Sequence, residues 1–162
     1  MKKLILAGGI ASIAVTIYFT GAYTYFIENR VSEELPQMTS ANQQQTLQEP
    51  RIIKQGNFVG ADFFHKGNGQ AYILEYPDGR KILRFENFEV VNGPDLYVYL
   101  SEASAPTGDL KSLGDYIDLG RLKDNIGDQN YELPQNISSN DYSSAVIWCK
   151  KFGVLFPYTV FK

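Results

Sequence analysis

The sequence predicts an all-β fold, an antiparallel β-sandwich or barrel domain preceded by one N-terminal transmembrane helix. Three observations lead there. Leu4 to Ile27 runs 24 residues without a charge. The chain is rich in Tyr (11) and Phe (10), residues that suit a pleated, half-buried surface. After residue 55, strand-length apolar runs recur between turn signals, with no sustained helical period.

The N-terminal element comes first. Met1-Lys2-Lys3 gives a basic start to the apolar run. As a helix, that run reaches about 36 Å, enough to cross a hydrocarbon core of about 30 Å. A signal-peptide core is shorter, at about 7–15 residues. Tyr18, Tyr23 and Tyr25 gather at the far end, where aromatic rings suit the membrane interface. Residues 1–27 therefore read as an anchor, contacting the membrane through residues 4–27. Lys2 and Lys3 put the N-terminus in the cytoplasm and the rest outside, as a single-pass protein of the cell membrane. The alternative is a cleaved signal with its site near Thr20-Gly21-Ala22.

Residues 28–54 read as a flexible polar linker. Gln43-Gln44-Gln45 lies between Pro36 and Pro50, and little in the segment can be buried.

Residues 55–162 read as the β-domain. The expected strands are Phe58 to Phe64, Gln70 to Tyr76, Lys81 to Val91 and Leu96 to Leu100. Tyr116 to Leu122, Asn130 to Leu133, Ser144 to Lys150 and Phe152 to Phe161 follow. Pro77-Asp78-Gly79 is a strong turn signal, because Pro presets φ and Gly accepts a positive φ. Asn92-Gly93-Pro94-Asp95 is another.

Composition narrows the function. Fifteen basic residues stand against 18 acidic ones, a net of −3, and Lys2 and Lys3 lie before the apolar run. Such a surface disfavours nucleic acid as a partner. One Cys excludes an internal disulfide, and no Cys/His cluster suggests structural zinc or another metal. A blue-copper site takes two His, a Cys and often an axial Met. This chain has one His, and neither Met1 nor Met38 lies in the domain. No Gly-x-Ser-x-Gly elbow occurs, and the sequence identifies no cofactor.

The candidate site is Ser144 to Phe156, which holds the only Cys (Cys149) and the only Trp (Trp148). Period-two alternation puts Cys149 on one face with Ala145 and Ile147, and Val146, Trp148 and Lys150 on the other. Two readings of Cys149 stand together. A free Cys is often a small buried hydrophobe. A Cys beside cations can be a reactive thiolate, although Lys150 points to the opposite face of a regular strand. His65 reads as a loop residue at a strand end, or as a metal or haem ligand or a partner for Cys149. Asp95 reads as turn chemistry, or as a rim carboxylate.

Several blocks resemble a known family. Gly56-x-Phe58 and His65 with Gly69 come first, then Asn92-Gly93-Pro94-Asp95-Leu96-Tyr97-Val98. Asp118-Leu119-Gly120 and Gly127-x-Gln129-Asn130-Tyr131 follow, and Val146-Ile147-Trp148-Cys149-Lys150 closes the series. In this order they resemble the DM-thirteen domain family, an electron-transfer domain often found beside DOMON domains. The resemblance implies a small extracytoplasmic β-domain and puts the family's proposed redox thiol at Cys149. His65, Lys150, Asp95 and Trp148 are the candidates to support it. Because disulfide chemistry takes two sulfurs, the partner would be a redox protein or a small thiol. The competing expectation is a non-enzymatic binding or adhesion module of the cell envelope, with Cys149 as packing.

Overall fold

A computed structural model describes residues 28–37 and 49–162, together with Thr16, Tyr18 and Tyr23. The strands are β1 (Arg30–Ser32), β2 (Arg51–Val59), β3 (Gly67–Glu75), β4 (Lys81–Val90), β5 (Leu96–Ser101), β6 (Tyr116–Arg121), β7 (Ile126–Glu132), β8 (Ser144–Cys149) and β9 (Val154–Val160). They form one sheet in the order β1-β7-β4-β3-β2-β9-β8-β5-β6. All neighbours are antiparallel except β1 and β7. The all-β expectation is met, and its form is a single curled sheet, a half-barrel. The anchor expected over residues 4–27 lies outside the described residues, apart from Thr16, Tyr18 and Tyr23. Among the described residues, no helix is long and apolar enough to cross a membrane.

Alternation dictates which side chains line the inside of the curl. Ala71 and Ile73, Leu83 and Phe85, Val98 and Leu100, and Ala145, Ile147 and Cys149 share one buried cluster with Phe58, Phe88 and Phe156. The rings of Phe58, Phe85 and Phe88 meet pairwise at 4.8–5.0 Å between centroids. Each large side chain so buried contributes about 1.5–3 kcal/mol through the hydrophobic effect. Outside the β5–β8–β9 half, Tyr99, Val146, Trp148 and Leu155 pack with Leu113 of a short 3-10 helix, Leu110–Leu113. Asp109 caps that helix, accepting the Lys111 N–H at 3.0 Å.

The β3–β4 turn forms as its sequence dictates. Gly79 has φ 84°, and its N–H donates to the Tyr76 carbonyl at 2.9 Å. Asp78 accepts both the N–H and the Nε–H of Arg80, at 3.0 and 2.7 Å.

Two expectations are corrected. The run Phe58 to Phe64 is not a strand: β2 ends at Val59 and starts back at Arg51. The apolar content of that run hides a turn maker. The Asp62 carboxylate accepts the N–H groups of Phe64 and His65 at 2.7 and 2.8 Å and bends the chain. The polar run before Phe58 is a strand because β3 offers it a ladder, with Arg51 held to Glu75 at 2.7 Å.

The linker expected over residues 28–54 carries sheet at both ends. Its second end is the start of β2. Its first end is β1, which adds to the free edge of β7. The Glu33 N–H donates to the Asp128 carbonyl at 3.0 Å. The Glu33 carboxylate takes the Lys123 ammonium at 2.7 Å and the Asn130 N–H at 2.8 Å. Burial alone would raise the Glu33 pKa, but these two donors hold it below the usual carboxylate value. Arg84, itself buried, donates to the Glu33 carbonyl at 2.6 Å and to Asp128 at 2.8 Å. Residues 38–48 of that linker lie outside the described residues.

Gly127 makes the docking of β1 possible. Its φ is 111°, and a Cβ there would run into the backbone oxygen of Val31. Gly127→Ala is expected to displace β1 and cost about 1–3 kcal/mol, the range for a strained backbone position. Amide hydrogen exchange at Val31 and Glu33 should accelerate while exchange in β4 stays slow. Unchanged protection at those two amides would show that β1 tolerates the side chain.

Candidate functional site

β8 and β9 form the last hairpin. Lys150, Lys151, Phe152 and Gly153 turn the chain between them, all four exposed. Gly153 has φ 63°, and its N–H closes the turn on the Cys149 carbonyl at 2.9 Å. Only Gly adopts that conformation without strain.

Cys149 lies at the mouth of this turn, pointing inward with Ala145 and Ile147. Its exposure is 0%. Leu96 and Val154 flank it as ladder neighbours. The thiol is apolar in its surroundings, and the backbone N–H groups of Phe152, Asp95 and Lys151 act in favour of its charged form. Burial pushes its pKa up, and the three N–H groups oppose that only in part; the Asp95 charge adds to the rise. The resting state is a protonated, fully buried thiol beside an exposed turn.

The four other sequence-derived candidates sit around this residue in different ways. Lys150 points outward. Its ammonium pairs with Asp118 at 2.6 Å and stands 3.5 Å from the centroid of the Tyr97 ring. The hydrogen bond to Asp118 holds the Lys150 pKa above its usual value. Trp148 also faces outward, in the cluster with Tyr99 and Leu155. Neither side chain meets the sulfur across the strand, as alternation requires. Asp95 does act on it, through its backbone N–H, and its carbonyl accepts the Lys150 N–H at 3.0 Å. Its carboxylate pairs with Arg121 at 2.7 Å. His65 is engaged elsewhere. Its Nδ1 lies 2.7 Å from the Asp62 carboxylate, and its ring packs on Phe156 at 4.5 Å. The His65 hydrogen bond lowers Asp62 to about 2.

Sequence reasoning missed the N–H groups of Lys151 and Phe152, which act on the sulfur. The signal was present in Gly153, four residues after Cys149, which permits a turn that folds back over it. Asp118, within β6, accepts the Gly120 N–H at 2.9 Å. It is also the counter-ion of Lys150. Among the described residues, no group of three or more His, Cys, Asp or Glu could hold a metal ion.

A family model described as "Electron transfer DM13" matches residues 57–161, from β2 to just past β9. No curated protein and no solved structure matches the chain.

The buried thiol has a consequence for alkaline stability. A group whose pKa is higher folded than unfolded contributes stability below the unfolded value and loses it as pH rises. For Cys149 the ordinary value is 9.0 and the folded value lies above it. The stability difference between the native chain and Cys149→Ala should therefore shrink between about pH 7 and about pH 10. Urea unfolding of both proteins at each pH reads this. A difference constant across that window would mean that burial does not disfavour the thiolate.

Proposed function

The chain belongs to the DM13 electron-transfer family, and from that premise we propose that it is an extracytoplasmic redox module, held at the cell membrane by residues 4–27 and working through the Cys149 thiol. The observation that carries this reading is the place of Cys149, the last residue of β8 before an exposed turn, where the backbone N–H groups of Phe152, Asp95 and Lys151 favour its charged form. Packing alone needs no donors around a small apolar side chain. A sulfur that must at times be an anion does, because peptide dipoles stabilise charge where water is excluded.

The chemistry follows from having one thiol. Opening of the Lys150–Gly153 turn admits a disulfide of a redox protein or of a small thiol. Cys149 loses its proton to solvent, and the thiolate attacks one sulfur of that disulfide. The Cys149–sulfur bond forms as the partner's S–S bond breaks, and the second sulfur leaves as a thiolate that takes up a proton. Cys149 is oxidised and the leaving sulfur is reduced. A further thiol reverses the step. Lys150, paired with Asp118 on the outer face, holds one side of the turn in place and does not act on the sulfur.

The second reading is a binding or adhesion module of the envelope with Cys149 as packing. The complete burial of the side chain favours it. Local opening separates the two, because an opening confined to the turn needs less free energy than global unfolding. The native chain should react with a thiol reagent at a rate that rises with pH and stays insensitive to low urea. A rate that climbs with urea as steeply as global unfolding would assign Cys149 to packing. Cys149→Ser, with a hydroxyl that can accept the same N–H groups, should stay folded and lose thiol–disulfide exchange. Full partner binding or function in that variant would sink the redox reading.

A further inference from the structure

The sheet register gives the half-barrel two distinct ends. β7 starts at Ile126 opposite Glu89 of β4, and β4 ends beside Gly67 of β3. The loop 60–66, the turn 91–95, the connection 122–125 and the turn 150–153 therefore share one end. The turn at Pro77-Asp78-Gly79 lies at the other.

Among the described residues, three phenylalanines are strongly exposed: Phe63 at 75%, Phe64 at 73% and Phe152 at 50%. All three are on this one end. Phe63 and Phe64 stand edge to face at 5.3 Å on the tip that Asp62 bends. Nearby Phe58 and Phe156, by contrast, are buried. The cations that accompany them are lysines. Lys66 lies 4.4 Å from the Phe63 ring centroid and Lys151 5.5 Å from that of Phe152. Three acidic groups near the same end are matched within the domain, Asp62 by His65, Asp95 by Arg121 and Asp118 by Lys150, while Glu89 and Asp124 carry no ion pair among the described residues. Exposed aromatic tips with lysine at their base suit the boundary between water and acyl chains.

The direction of β1 says what lies against this end. β1 is parallel to β7, with Arg30 opposite Ile126, so the chain enters the domain from the same end as the three phenylalanines. The Asn29 N–H is fixed to Asn125 of the connection 122–125 at 2.8 Å. Only Glu28 and Asn29 separate Arg30 from the uncharged run that ends at Ile27. Three residue steps span at most about 10 Å of extended chain.

We propose that this end of the half-barrel rests in the bilayer interface, with Phe63, Phe64 and Phe152 inserted at the level of the lipid headgroups. The proposal rests on residues 4–27 being the membrane anchor. The docked β1 then works as a rigid short stay, holding the domain flat on the membrane. The same placement sets the Lys150–Gly153 turn, and the sulfur beneath it, at the lipid–water boundary.

The full chain, reconstituted in vesicles of phosphatidylcholine and phosphatidylglycerol with brominated acyl chains, tests this. Trp emission is compared between Phe63→Trp and Ile52→Trp, with the native chain subtracted for Trp148. Both positions are exposed and at opposite ends, so neither change should disturb folding; thermal unfolding verifies that. Carbonate washing reports the anchor independently. The expected result is a chain that resists carbonate, with Phe63→Trp quenched several-fold more than Ile52→Trp. Resistance to carbonate with equal quenching at the two positions would overturn the placement and leave the anchor standing. Release by carbonate would remove the anchor itself and the proposal with it.

Discussion

β2 is the one strand that belongs to both halves of the sheet, and the rest of the structure depends on that sharing. Its first part pairs with β3, and Phe58 and Val59 then pair with Thr159 and Tyr158 of β9. The register shifts between Ile52 and Lys54, which bends the strand as a bulge does. Gln55 and Lys162 extend the junction with a reciprocal pair of backbone bonds, at 2.9 and 3.4 Å. Between them Gly56 must lack a side chain, because a Cβ would strike the backbone oxygen of Val160. With so few ladder bonds, the junction relies on the core it closes. Phe58 supplies that link, touching Phe85 and Phe88 of the opposite half.

Once the sheet is curled, the place of Cys149 follows from parity. Ala145 and Ile147 face the inside, so Cys149 does too, and Lys150 beyond it faces out. Two effects then compete at the sulfur. Removing water raises the free energy of the thiolate, and peptide N–H groups lower it. The first wins, so the buried thiol stays protonated near neutral pH. The turn is the piece of the site least held by the core: its four residues are exposed, while Cys149 on one side is fully buried and Val154 on the other is partly so.

Much of the fold was legible in the sequence because period and punctuation agree there. β3, the Pro77-Asp78-Gly79 turn and β4 read correctly, as did β5 and β8, whose residues alternate cleanly between two faces. The stretch 51–64 did not, because its apolar residues fall in a loop and its polar residues in a strand. Phe63 and Phe64 invite burial, yet the bonds that decide the matter are local ones to Asp62. For β1 no periodic signal could have served. Three residues, Arg30 to Ser32, form a strand because Arg84, Lys123 and Asn130 hold the adjoining Glu33 from 51 to 97 positions away. In the site, parity was legible, and it correctly separated Lys150 from the sulfur. The N–H groups that act on the sulfur belong to backbone, which composition does not reveal.

An open sheet has two free edges, and each is treated differently. An unpaired edge invites another strand. At β6 the edge is short and carries Asp118 and Arg121, with Gly120 at φ 97° and a register shift opposite Tyr97 and Tyr99. Charge and irregularity together discourage pairing there. At β7 the edge is instead filled by the protein's own β1. That solution brings Arg84 out of water, leaving the residue 5% exposed. A buried cation is costly unless it is paired, and here Asp128, Glu86 and the Glu33 carbonyl all meet it. Asn130 Oδ1 is a fourth acceptor, and the Glu33 carbonyl is the one that arrives with β1, so Arg84 is fully satisfied only while β1 is in place. Covering the edge and satisfying Arg84 are therefore a single event, which is why a segment that looks like a plain linker is part of the domain.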